Sequence, residues 1–246
     1  MKNVIKESPV TIFLLALTTL VFIAMQVIYF GNATSNQAIF NTGGMFGAYV
    51  RLFPSQLWRL VTPIFVHIGW EHFFFNALTL YFVGQIAEQI WGHHKFLALY
   101  VLSGIVGNIF TLFFTPNVIA AGASTSLFGV FAAIMVAGYF GRNPYLKELG
   151  RNYQALIIVN LIFNLFTPSI GIAGHIGGLV GGVLCAIFLP TLVEKGMFKP
   201  WQRWLAAAAY VGLSLFLIVL ALHSSLKKNF GGTFLCYSIL FRFFFS

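Results

Sequence analysis

The sequence predicts an all-α, polytopic membrane protein, and three observations carry that reading. Hydrophobic residues make up 59% of the chain and charged residues only 8%, where a soluble domain carries about 25% charge. The apolar residues gather in stretches of about 20, the length at which a helix crosses a hydrocarbon core about 30 Å thick. The cations lie in the short segments between those stretches and divide unequally between the two sides, the asymmetry that sets helix orientation in a membrane.

Seven spans follow, near residues 9–31, 67–90, 96–115, 122–140, 153–167, 170–190 and 204–223. The first apolar run, Pro9 to Phe30, is followed by no small-residue cleavage motif and reads as a retained span,. Segment 32–66 is too long for a turn and contains Pro54 and Trp58-Arg59; its apolar content suits packing on or into the outer leaflet. The fifth span, of about 15 residues, is expected to be tilted or loosely packed. Lys2, Lys6, Lys95, Arg142, Lys147, Arg151, Lys195, Lys199 and Arg203 share one side, against Arg51, Arg59, Lys227, Lys228 and Arg242 on the other. An N-terminus in the cytoplasm follows. Residues 1–225 form one membrane domain, with its core at about 50–190, and 226–246 form an apolar tail with no assigned role.

The composition also excludes. A formal charge of +9 could suggest nucleic acid, but cations scattered over loops form no basic patch, so no nucleic-acid partner is expected. Cys185 and Cys236 cannot build a disulfide framework,. Aspartate is absent, and the acids are Glu7, Glu71, Glu88, Glu148 and Glu194. Mechanisms that need an aspartate pair or a Ser-His-Asp triad are therefore ruled out. Glu71-His72 lies near other histidines, yet the zinc-protease H-E-x-x-H motif is missing,. No metal or cofactor is expected.

Two short motifs carry the chemistry. Gly122-Ala123-Ser124-Thr125-Ser126-Leu127-Phe128-Gly129 opens the fourth span, and Gly174-His175-Ile176-Gly177-Gly178 lies early in the sixth. Ionisable and polar groups in a span are costly and point to function with a named partner. A serine hydroxyl becomes a nucleophile beside a base, and histidine is the usual one. With the N-terminus inside, Ser124 and His175 fall at similar depth near the outer face. Gly174, Gly178 and Gly182 recur every four residues, the small-residue spacing that lets two helices close in lipid,. Gly129 and Gly138 offer a matching face on the fourth span. Ser126 is the competing nucleophile, about 200° around the helix from Ser124. His72 and Asn76, four apart, share a helix face and suit an oxyanion site; helix packing alone would also account for such a pair.

Together these residues resemble the rhomboid family of intramembrane serine proteases over roughly residues 50–190. Trp58-Arg59 resembles the family's pair in the first outer loop. His67, His72 and Asn76 match its second-helix pattern, and Glu88 with Gly92 its glutamate-x-x-x-glycine. Gly122-x-Ser124 with Phe128 and Gly129 resembles the nucleophile motif, and Gly174-His175 with Gly178 and Gly182 the base helix. The chain departs from the family at Thr125, where glycine is usual, and at Phe128, often tyrosine.

The resemblance implies a rhomboid-like bundle of six helices plus a seventh, C-terminal helix. It implies Ser124 as nucleophile and His175 as base, packed on Phe128, with the Ser124 N–H, His72 and Asn76 holding an oxyanion. The implied substrates are transmembrane segments of other proteins, cut near the outer face of the lipid bilayer. The short fifth helix and the loop after it are then candidates for a lateral gate. A bacterial plasma membrane fits the compact design; no oligomeric state is assigned. Two other classes compete: a non-catalytic rhomboid-like client binder, and a transporter, which the lack of an inverted repeat disfavours.

Overall fold

The computed structural model describes residues 6–166 and 171–230, with side chains described through residue 223. Seven long helices dominate it, each overlapping one of the stretches read from hydropathy. In chain order the helices are α1 (Pro9–Ile28), the short α2 (Asn36–Asn41) and α3 (Gly47–Leu52), α4 (Gly69–Trp91), α5 (His93–Phe114), α6 (Ser124–Phe140), α7 (Pro144–Phe166), α8 (Ile172–Phe188) and α9 (Pro200–Phe230). Pro9–Ile28, His93–Phe114 and Pro200–His223 are long and apolar enough to cross a membrane by length and composition. The 17-residue α6 and α8 are shorter apolar helices and form the inside of the bundle.

The start of α1 is fixed by a polar side chain from elsewhere in the chain. Pro9 suits the first turn of α1, where its missing N–H costs nothing,. The cap comes from α4: the Glu88 carboxylate accepts from the Val10 N–H at 2.9 Å, the Thr11 N–H at 2.8 Å and the Thr11 hydroxyl at 2.7 Å. An anion there also complements the helix dipole. His93, at the start of α5, lies 2.6 Å from the same carboxylate. Gly92 turns the chain between α4 and α5 at φ +78°, a conformation glycine adopts without strain. Thus the N-terminus of α1 and the C-terminus of α4 share one end of the bundle.

The segment between α1 and α4 is a folded cap on the other end. α2 is capped by Ser35, whose hydroxyl accepts from the Ala38 N–H. Met45–Phe46 (β1) pairs antiparallel with Ile119–Ala120 (β2), a two-residue ladder that hydropathy reading passes over. Two 3₁₀ turns, Pro54–Leu60 and Thr62–Phe65, complete the segment. Arg59 is buried and bolts it together, donating to the carbonyls of Phe40 (2.6 Å) and Gly44 (2.8 Å) and to Gln56 Oε1 (2.9 Å). Its guanidinium also lies over the rings of Phe40 and Trp58. Met45, Val50 and Leu60 bury against Ile109 and Leu112 of α5 and Leu217 of α9. Phe53, Trp58 and Trp70 stay exposed, as aromatics do at a membrane interface.

Inside, α8 packs between α5 and α6 at near-backbone contact. A Cβ at Gly178 would strike the carbonyl oxygen of Thr125, and one at Gly182 that of Gly129. Gly138 does not belong to this seam. It meets Gly150 and the Leu146 carbonyl of α7, because nine residues at 100° each turn it half a revolution from Gly129.

The fifth long helix departs from expectation. It begins at Pro144 and runs 23 residues, so it is not short. Its first two turns carry Lys147, Glu148 and Arg151, which hide them from a hydropathy reading, while proline at the start is compatible with a helix. α9 likewise runs to Phe230, past the expected domain boundary at residue 225. The remainder of the apolar tail, 231–246, and the loop 167–170 proposed as part of a gate lie outside the described residues.

Candidate functional site

Residues from α4, α6, α7 and α8 converge on a cleft of about 690 Å³ at the end of the bundle opposite the α1 N-terminus. Ser124 is the first residue of α6. Its own N–H is among the donors that a helix leaves unpaired at its start. Two features set the direction in which the chain enters α6. Gly122 takes φ +134°, and a Cβ there would come within 2.8 Å of His72 Nε2. The buried His67 accepts from the Ala123 N–H at Nε2 (3.3 Å), with Nδ1 facing the Phe65 carbonyl (3.4 Å).

The structure brings Ser124 and His175 together: Oγ lies 2.8 Å from Nε2. The imidazole stacks on Phe128, with centroids 4.3 Å apart and planes inclined by 11°, so the missing hydroxyl of a tyrosine is not needed for this contact. Ser126 points away. It is fully buried, and its Oγ is directed at Gly104 of α5. The Thr125 methyl fills space left by two glycines, lying 3.0 Å from the Cβ position of Gly107 and 3.1 Å from that of Gly174. A β-branched residue after the serine is accommodated against these two glycines.

His72 and Asn76 line the same cleft. The Ile68 N–H donates to His72 Nδ1 at 3.2 Å, which leaves the ring proton on Nε2, the nitrogen facing Gly122. Asn76 gives one amide N–H to the His72 carbonyl at 2.8 Å and keeps a second to offer. Trp58, Arg59 and Glu88 stand away from the cleft; the last two hold the first loop and the α1 terminus. Gly129, Gly178 and Gly182 set the α6–α8 spacing. The sequence alone gives no reason to single out Asn164. Its amide nitrogen lies 2.6 Å from His175 Nδ1, and the residue is only 6% exposed. An asparagine in an apolar helix carries no motif, and its partner, 11 residues on, becomes visible only once α7 and α8 are folded together.

α4 and α7 face each other across the cleft. Phe75 and Thr79 line one wall, and Leu156 and Asn160 the other. α7 rests on α6 and touches α8 little.

Comparison with known proteins bears on the family of the chain. The Rhomboid domain model matches residues 54–192. The chain is 34% identical over 212 residues to the rhomboid protease GluP of Bacillus subtilis, covering 84% of this chain and 41% of that protein. It is 31% identical over 160 residues to rhomboid-like protease 3 of Toxoplasma gondii, covering 63% of this chain and 60% of that protein. It is also 27% identical to inactive rhomboid protein 1 of Rattus norvegicus, over 68% of this chain and 20% of that protein. The chain thus spans about two fifths of GluP and a fifth of the rat protein.

Proposed function

The chain belongs to the rhomboid family, and from that premise we propose that it is an intramembrane serine endopeptidase with Ser124 as nucleophile and His175 as base. The observation that carries this reading is the 2.8 Å contact between Ser124 Oγ and His175 Nε2 in a cleft lined by α4 and α7. Ser124 Oγ attacks a peptide carbonyl of a transmembrane segment while Nε2 takes its proton. The Ser124 N–H, His72 Nε2–H and the second Asn76 N–H are donors for the oxygen that becomes negative. As the C–N bond breaks, His175 returns the proton to the leaving amine. Water then attacks the acyl ester, His175 again takes a proton, and Ser124 is restored.

The distribution of cations supports a cytoplasmic N-terminus, which puts Ser124 near the outer side. The substrate would then be a single-span protein cut near the outer end of its helix. Its segment would enter between α4 and α7, and small, helix-destabilising residues there would free the scissile carbonyl. A bacterial plasma membrane fits this reading. The competing reading, a client-binding protein without activity, draws on the rat relative's name; the paired serine and histidine favour the protease.

The test is cleavage of a tagged single-span reporter by the purified chain in liposomes. Ser124→Ala and His175→Ala are expected to reduce cleavage to background and Ser126→Ala to leave it near wild type. Cleavage that survives Ser124→Ala would end this assignment.

A further inference from the structure

Both ring nitrogens of His175 are engaged, and the mechanism above uses only one. Nε2 faces Ser124, while Nδ1 faces the side-chain amide of Asn164 at 2.6 Å. With the amide nitrogen toward Nδ1, the ring proton lies on Nε2 and is directed at Ser124 Oγ. In that tautomer His175 cannot accept the serine proton. A half-turn of the Asn164 carboxamide exchanges two ends of nearly equal size and sets Oδ1 against Nδ1. The ring proton is then held on Nδ1, and the Nε2 lone pair faces the Ser124 hydroxyl.

Building on the dyad proposed above, we propose that Asn164 is the positioning residue for His175, fixing the tautomer that lets Nε2 act as base. Three independent features support it. The chain has no aspartate for this role. Asn164 is 94% buried by its 6% exposure, and a buried amide needs a partner. It also sits on α7, a wall of the cleft that touches α8 little. A shift of α7 would withdraw the amide from Nδ1, so α7 would couple substrate entry to the competence of the base. In the chemical step the Ser124 proton moves to Nε2 and the imidazolium keeps its Nδ1–H bonded to Oδ1. Asn164 itself gains and loses no proton.

The test measures fluorophosphonate labelling of Ser124 and reporter cleavage against pH, using the full chain in liposomes. Asn164→Leu, similar in size but without hydrogen bonds, should slow labelling about tenfold or more, a share of the 10²–10⁴ that general-base catalysis provides. Asn164→Asp, which can only accept from Nδ1–H, should recover most of the rate. Its carboxylate favours the imidazolium, so the acid limb of the pH profile should move to higher pH. The other titratable residues lining the cleft are Glu71 and His72, and both are unchanged in the series. An Asn164→Leu protein with wild-type rate and profile would overturn the inference. So would an Asn164→Asp protein as slow as Asn164→Leu with an unmoved acid limb, since packing alone would then explain the loss. A wild type that neither labels nor cuts would remove the dyad and this inference with it, which separates the two failures.

Discussion

The seam between α6 and α8 and the contact between α6 and α7 solve the same problem in opposite ways. At the seam, glycines bring two backbones so close that a single added carbon would strike a carbonyl oxygen. α7 meets α6 at Gly150 and Gly138 and through the rings of Tyr153 and Phe131. Beyond that point it turns Ile158, Val159, Ile162, Leu165 and Phe166 outward. Lipid tails are as apolar as leucine, so such a helix gains little from burying those side chains in protein. Ser124 and His175 stand on the two helices of the seam, whereas α7 forms a wall of the cleft. On the proposed reading, rigidity lies where the reacting atoms would be held, and freedom where a substrate helix would enter.

The contrast can be broken most severely at the seam. Gly182→Leu would drive a side chain into the Gly129 carbonyl, where backbone cannot yield. The cost is expected to exceed the roughly 1–3 kcal/mol of ordinary overpacking. Size-exclusion of the detergent-solubilised protein should show loss of the monodisperse species.

The polar clasp between α1 and α4 should be intermediate. Glu88→Gln keeps the shape but removes the charge that faces two backbone N–H groups and a hydroxyl. A loss of about 1–3 kcal/mol is expected, read as a lower midpoint in denaturant titration, with Ser124 labelling at its wild-type rate once folded. Leu165→Ala, on the lipid face of α7, should be the mildest, within about 0.5 kcal/mol. An effect of Leu165→Ala as large as that of Gly182→Leu would erase the distinction between seam and wall.

Much of this architecture can be read from the residues, for definite physical reasons. Apolar length gives the long helices, because the bilayer fixes how many residues a span needs. Glycines at every fourth position mark the helix that others approach closely. Serine and histidine in apolar surroundings stand out because such groups are costly there. What escapes has an equally definite cause. The start of α7 is masked by Lys147, Glu148 and Arg151, since helicity does not end where hydropathy does. Gly138 meets α7 and not the expected partner, because small residues mark a close contact without naming its other side. Asn164 gives no signal until two helices joined by residues 167–170 lie side by side.

The way Thr125 is housed has a consequence for how this site can vary between lineages. Its methyl occupies a volume that glycines at 107 and 174 leave open, so the three positions share one allotment of space. Placing glycine at 125, the commoner choice in the family, would vacate that volume, and Gly174→Ala could reclaim it, since its added carbon meets only the side chains of Thr111 and Thr125 within 3.1 Å. Gly107 has no such latitude, because the Gly174 carbonyl lies 2.7 Å from its would-be Cβ. Substitutions at 125 and 174 should therefore be tied as a pair, each deleterious alone and tolerated together, while position 107 stays fixed.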